Sequence, residues 1–151
     1  MTRSWFIVLR RYFLFFAIAN LLWEIAQLPL YAIWRTGSPG EIAFAVAHCT
    51  GGDLLIGTST FLVGLLVVGS RHWPSDRYVH VALAAIVLGT FYTIFSEWLN
   101  VSVRQSWAYS DLMPRLPGIG TGLSPVAQWI VVPMLSVWWA GRHTRHNDTR
   151  R

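Results

Sequence analysis

The chain has 151 residues, of which 13% are charged, 54% apolar and 15% aromatic, with nine Trp among them. A soluble domain carries about 25% charged residues, so this composition excludes a disordered tail, a collagen-like chain and a disulfide scaffold, and argues against a soluble globule. The formal charge is +5 and all twelve basic residues are Arg. They lie at the ends of apolar runs and form no stripe or basic run, so no nucleic-acid partner is expected. One cysteine, Cys49, excludes an intramolecular disulfide.

A helix that spans a membrane needs about 20 mostly apolar residues. Four runs meet or approach this. They predict helices over residues 12–34, 42–68, 78–99 and 123–140. Backbone polar groups must be satisfied inside lipid, which makes helix the default conformation for such runs. The first run carries a small-residue pattern, Ala17-Ile18-Ala19, resembling a signal-peptide cleavage site. Its apolar character continues well past Ala19, and Arg10 and Arg11 interrupt the stretch before it, so a retained helix is expected. The fold class is therefore an all-α integral membrane protein. A single domain, residues 1–151, forms a four-helix transmembrane bundle, up-down-up-down.

Arginine placement sets the orientation. With the N-terminus inside, Arg3, Arg10, Arg11, Arg71, Arg77, Arg142, Arg145, Arg150 and Arg151 are cytoplasmic. Only Arg35, Arg104 and Arg115 are then outside. Both termini are expected in the cytoplasm, and the location expected is a bacterial-type inner membrane. The tail, 141–151, reads as a charged cytoplasmic stop that contacts anionic lipid. Trp5, Tyr12, Trp34, Trp73, Tyr78, Trp98, Trp138 and Trp139 fall near helix ends, as an interfacial belt requires.

The connections differ. Residues 35–41 and 69–77 form short turns rich in Gly and Pro. Residues 100–122 form a long outer loop that either crosses the mouth of the bundle or serves as a lid, contributing Tyr109, Asp111 and Arg115. Asp111 and Arg115 are expected to pair across a turn. Ser124-Pro125 fits an N-cap followed by Pro at the first helical position.

Ionisable groups inside spanning helices cost about 2.5–3.5 kcal/mol for an Asp at the helix centre, and mark functional sites by default. Four occur: Glu24, His48, Asp53 and Glu97. Helical spacing places Asn20, Glu24 and Gln27 on one stripe of the first helix. Thr93, Glu97, Asn100 and Arg104 share a stripe on the third. On the second, His48, Gly52 and Ser59 share one face, and Asp53, Gly57, Thr60 and Gly64 a neighbouring one. Ser124 and Gln128 align on the fourth. The first two helices form a hairpin centred near Ser38, with Glu24 14 residues before that centre and Asp53 15 after it. They are expected at one level near mid-membrane. Gln27 and His48 should lie about 6 Å nearer the outer face, and Glu97 nearer still.

This polar column points to a pocket open to the outer side. Glu24, His48, Asp53 and Glu97 are the candidate catalytic acids and bases, since carboxyls and imidazole in a dry cavity suit proton transfer. Asn20, Gln27, Asn100, Trp107, Tyr109 and Gln128 are the candidate substrate-binding residues. The expected partners are the bilayer and a lipophilic small molecule. Three alternatives stand beside this reading. One is a non-catalytic accessory subunit of a membrane complex, whose polar groups only join helices. Another is a small transporter. The third is a metal-binding membrane protein holding iron, manganese or zinc through His48, Asp53 and Glu24; the cofactor is otherwise unspecified.

Overall fold

The computed structural model describes residues 3–148. Arg150 and Arg151, counted above among the cytoplasmic charges, lie outside the described residues. The elements are α1 (Arg3–Gln27), α2 (Ile33–Thr36), α3 (Pro39–Val68), α4 (Tyr78–Glu97) and α5 (Leu123–Asp148). No strand occurs among the described residues. Four segments are long and apolar enough to cross a membrane: Trp5–Leu30, Pro39–Val68, Tyr78–Val103 and Leu123–Arg142. They mark the chain as a multi-pass membrane protein.

Local chemistry explains where these boundaries depart from the sequence expectation. α1 runs through Arg10 and Arg11, because one helical surface at the end of a span accommodates long cations whose stems lie along apolar neighbours. Arg11 sits over the Trp139 ring, 5.3 Å from its centroid. The first helix does not reach Trp34. Pro29 lacks an N–H and disfavours helical geometry before it, so α1 stops at Gln27 and a single 3-10 turn covers Leu28–Leu30. Tyr31 is then extended, at φ −112° and ψ 146°. α3 starts earlier than 42 because Ser38 and Glu41 form a capping box with Pro39 at the first helical position. Glu41 Oε2 accepts from the Ser38 backbone N–H at 2.8 Å. α4 continues past Glu97 as a π-helical segment, Trp98–Val103. Ser124 is not a cap: α5 already begins at Leu123.

α1 packs against α5 and α3, and α4 packs against α3 and α5. The outside of this ring is apolar, with Leu14, Ile18, Leu62, Leu66, Leu83 and Phe91 all exposed. Exposed apolar residues around a bundle whose interior holds polar ones invert the soluble pattern and suit a lipid solvent. Inside, the two ends differ. One end is filled by rings: Tyr12 stacks on Phe61 at 5.1 Å, Phe61 meets Trp73 edge-on at 5.6 Å, and Trp73 meets Trp5 at 5.9 Å. Tyr78 donates its hydroxyl to the Val137 carbonyl at 2.7 Å, which joins α4 to α5 there.

Two glycines set the helix spacing in the middle. A Cβ at Gly57 would lie 2.5 Å from the Phe16 ring, and one at Gly89 would overlap the Trp129 ring. These two rings meet edge-on at 6.1 Å. The middle layer is therefore aromatic against glycine on both sides. Beyond it, toward the ends of α1 and α4, the interior becomes polar.

Candidate functional site

The polar layer centres on Gln128. α5 presents it to the interior, where it is 2% exposed. Its Nε2 donates toward Asn20 Oδ1 at 2.9 Å, Asp53 Oδ2 at 2.9 Å and Glu24 Oε1 at 3.1 Å. One side chain thus joins α5 to α1 and to α3. Gln27 Nε2 donates to Glu24 Oε1 at 2.8 Å and toward Gln128 Oε1 at 3.3 Å. Ser124 donates its hydroxyl to Gln27 Oε1 at 2.8 Å, and the Trp23 indole N–H donates to Ser124 at 3.2 Å. Asn20 anchors the far side by donating to the Phe16 carbonyl at 2.8 Å.

Glu24 and Asp53 stand side by side, both within hydrogen-bond distance of Gln128 Nε2. An amide nitrogen carries two hydrogens, so Gln128 cannot fully serve three oxygen acceptors, and the carboxyl pair is short of donors. Among the described residues, no ion pair reaches Glu24, Asp53 or Glu97. The carboxyl pair is a polar junction without a counter-cation.

The junction forms the floor of a cavity of about 1050 Å³. Glu24, Gln27, Asp53, Gln128 and Trp129 line its base. Phe44, His48, Cys49 and Gly52 of α3 line one wall, and Tyr92, Thr93, Ser96 and Glu97 of α4 the other. Asn100, Arg104 and Trp107 close it from the segment after α4.

Glu97 is tied to the long loop. Tyr109 is 8% exposed and donates its hydroxyl to Glu97 Oε2. The Tyr109 hydroxyl oxygen in turn accepts from the Gly122 N–H at 2.9 Å. Burial first, then the bond to Glu97, hold the Tyr109 phenol above its ordinary pKa. The loop is docked along its backbone as well. Tyr109 forms a β-bridge with Tyr31, with Ala32 N–H donating to Ala108 O at 2.9 Å and Ser110 N–H to Leu30 O at 2.9 Å. The Ser110 hydroxyl donates to the Pro29 carbonyl at 2.9 Å. Pro29 thus has two effects, ending α1 and leaving an oxygen for the loop.

Tyr109→Phe keeps the ring and removes both roles of the hydroxyl. The Gly122 amide loses its acceptor and Glu97 its donor. The expected cost is about 1–2 kcal/mol. Amide exchange at Gly122 and proteolysis within 104–122 should both rise. An unchanged exchange rate at Gly122 would show that the loop is held by its backbone bridge alone.

The candidate residues divide into four groups. Glu24, Asp53, Gln27 and Gln128 converge, with Asn20 behind them, buried and outside the cavity lining. Glu97, Asn100 and Trp107 line the cavity nearer its mouth. Asn100 is turned toward its own helix, donating to Ser96 O at 2.9 Å. The Trp107 indole nitrogen is buried near Glu97, without a well-formed hydrogen bond among the described residues. Tyr109 anchors the loop and does not line the cavity. His48 lines the wall but stands apart: it is exposed and stacks on Phe44 at 5.5 Å. Among the described residues, no three His, Cys, Asp or Glu side chains stand together as a metal-ligand set. The set Glu24, His48 and Asp53 is therefore not assembled. Asp111 and Arg115 do not pair; Asp111 is exposed, and Arg115 lies 5.3 Å over the Tyr109 ring.

Tyr31 went unnoticed in the sequence, although it lines the cavity and holds the loop. Its signal is Pro29, two residues earlier, which ends the α-helix and so frees the backbone at Tyr31 for the bridge. The chain matches no protein-family model, no curated protein and no solved structure, so its functional reading rests on this geometry.

Proposed function

We propose that this protein binds a lipophilic molecule in the cavity above Gln128 and performs acid–base chemistry on it. The observation that carries this reading is the convergence of Glu24 and Asp53 on one amide nitrogen at the floor of a large cavity. A carboxyl pair that shares one proton offers an acid and a base at one point. Gln128 orients both oxygens, and Gln27 fixes Glu24 from the side. His48 lines the wall and stacks on Phe44, apart from the carboxyl pair. Glu97 is committed to Tyr109 and positions the loop.

The cavity favours this reading over an accessory subunit whose polar groups only join helices. Helix glue requires hydrogen bonds, which are present, but it does not require about 1050 Å³ of space beside them. The interior beyond Trp129 is filled by rings, which supports a pocket closed at that end and disfavours a transport path.

The proposed setting is a bacterial-type inner membrane with both termini cytoplasmic. Contacts at successive levels support an up-down-up-down bundle. Trp5 meets Trp73, Tyr12 meets Phe61, and Glu24 meets Asp53, so α1 ascends as α3 descends. Tyr78 meets Val137 and Gly89 meets Trp129, which gives α4 and α5 the same relation.

Comparative lipid profiling tests the proposal. Cells expressing the protein should show one or more lipid masses gained or lost. Glu24→Gln and Asp53→Asn keep size and insert equally well, yet should abolish that change. A lipid profile identical between the wild type and both variants, at equal membrane levels, would return the weight to a structural role.

A further inference from the structure

We infer that the cavity is filled sideways from the hydrocarbon, between α3 and α4, by a single-tailed lipid whose polar end donates hydrogen bonds and carries no negative charge. This rests on the cavity being a ligand site and adds the route and the ligand class.

The route follows from how α3 packs. Its buried residues are Asp53, Gly57, Phe61 and Gly64. They form one stripe confined to the second half of the helix, whereas no residue from Pro39 to Gly52 is buried. α3 therefore grips the bundle only from Asp53 onward and forks away before it. The fork is the cavity. Leu55 and Tyr92 line it, yet are 70% and 49% exposed. A residue that lines a cavity and also faces outward marks a gap in the wall. Both positions fall near the middle of their spans, Pro39–Val68 and Tyr78–Val103. A membrane's hydrocarbon is about 30 Å thick, so mid-span residues face acyl chains. The gap admits lipid and excludes water-borne molecules.

The ligand class follows from the floor. Its ionisable groups are Glu24 and Asp53, with Glu97 above them. The basic side chains that line the cavity are His48 and Arg104, on the outward wall and at the closing segment, and neither is bonded to the carboxyls. A phosphate or carboxylate head would meet oxygens of its own sign in a low dielectric, where like charges are strongly disfavoured. A hydroxyl or an ammonium donates to those oxygens and supplies the donor that Gln128 lacks. The chain of such a lipid lies against Phe44, Ile56 and Tyr92 and leaves through the gap.

Glycine provides the test. Gly52 lines the cavity and a Cβ there meets nothing within 4 Å, whereas Gly51 has the same freedom but is exposed and outside the lining. Gly52→Phe therefore fills the cavity, and Gly51→Phe is its matched control. Protein in mild detergent would be titrated with hexadecanol, hexadecylamine and hexadecyl phosphate and read by native mass spectrometry. The alcohol and the amine should be retained by the wild type and by Gly51→Phe. Gly52→Phe should weaken both by at least about tenfold at an unchanged melting temperature, and the phosphate should bind the wild type at least about tenfold less well. The phosphate arm tells an anionic head from one that donates hydrogen bonds.

Equal or tighter binding of the phosphate, in a manner sensitive to Gly52→Phe, would overturn the ligand class and leave the cavity reading standing. Absence of all three adducts would overturn both. The route is read in bilayer discs. Leu55→Trp, at the gap, should slow uptake of the alcohol. Gly40→Trp, at the aqueous mouth, where a Cβ also meets nothing within 4 Å, should leave it unchanged. The reverse pattern would overturn the lateral route.

Discussion

Gln128→Leu is expected to be among the most destabilising single substitutions in the chain, at about 2–3 kcal/mol. The side chain is similar in size, so little packing is lost. What disappears is the Nε2 donor shared by Asn20, Glu24 and Asp53. Glu24 keeps Gln27 as a donor at 2.8 Å. Asn20 Oδ1 loses its donor and Asp53 Oδ2 loses the amide. A buried acceptor left without its donor costs about 1–3 kcal/mol, although pairs measured between membrane helices average nearer 0.6. Two such losses at one junction of three helices set the estimate. Unfolding in a denaturing detergent series would measure it. Glu24→Gln is the contrast: it retains an oxygen for Gln128 and Gln27 to approach, so it should change stability by under about 1 kcal/mol while removing the proposed chemistry. Equal stability losses in Gln128→Leu and Glu24→Gln would contradict this division of roles.

Gly89→Val should be at least as costly, about 3 kcal/mol. Its Cβ would overlap the Trp129 ring. That ring is 3% exposed, backed by Phe16, and cannot swing away without displacing its neighbour Gln128. Inserting atoms into such a layer costs about 1–3 kcal/mol, and Val adds two methyls beyond the clashing Cβ. Gly51→Ala is the internal control. It has open space around its Cβ and should gain up to about 1 kcal/mol from helix propensity. A compensating Trp129→Leu should recover part of the Gly89→Val loss, with a coupling of about 1 kcal/mol or more in a double-mutant cycle. Additive losses would show that Gly89 and Trp129 do not share this layer.

The spans were legible because length and hydropathy suffice for them, and hairpin arithmetic about Ser38 brings Glu24 and Asp53 to one level, where Gln128 Nε2 reaches both. Facing was harder to read. α3 offers two polar faces, one through His48 and Gly52 and one through Asp53, Gly57 and Gly64. Periodicity alone cannot say which turns inward. The glycines decide it, since Gly57 admits Phe16 and Gly64 lies close to the Val81 carbonyl, 3.0 Å from a Cβ built there. His48 is therefore left on an open wall. The loop was least legible. Its docking depends on Tyr31 pairing with Tyr109, 78 residues later, and on Tyr109 reaching both Glu97 and Gly122. No local pattern encodes such non-local bonds. The Asp111–Arg115 expectation failed for a related reason: Arg115 lies over the Tyr109 ring, and Asp111 stays exposed.

Trp5, Tyr12, Phe61, Trp73 and Tyr78 form an aromatic pillar, and none of them lines the cavity. Holding the helices together and shaping the ligand are thus assigned to separate residues. Such a molecule is evolvable in a specific way. Residues 44, 45, 48, 49 and 52 can be exchanged for new ligand preferences while the pillar keeps the chain assembled. A library restricted to those five positions should yield mostly inserted, folded variants, and the same number of changes in the pillar should yield few.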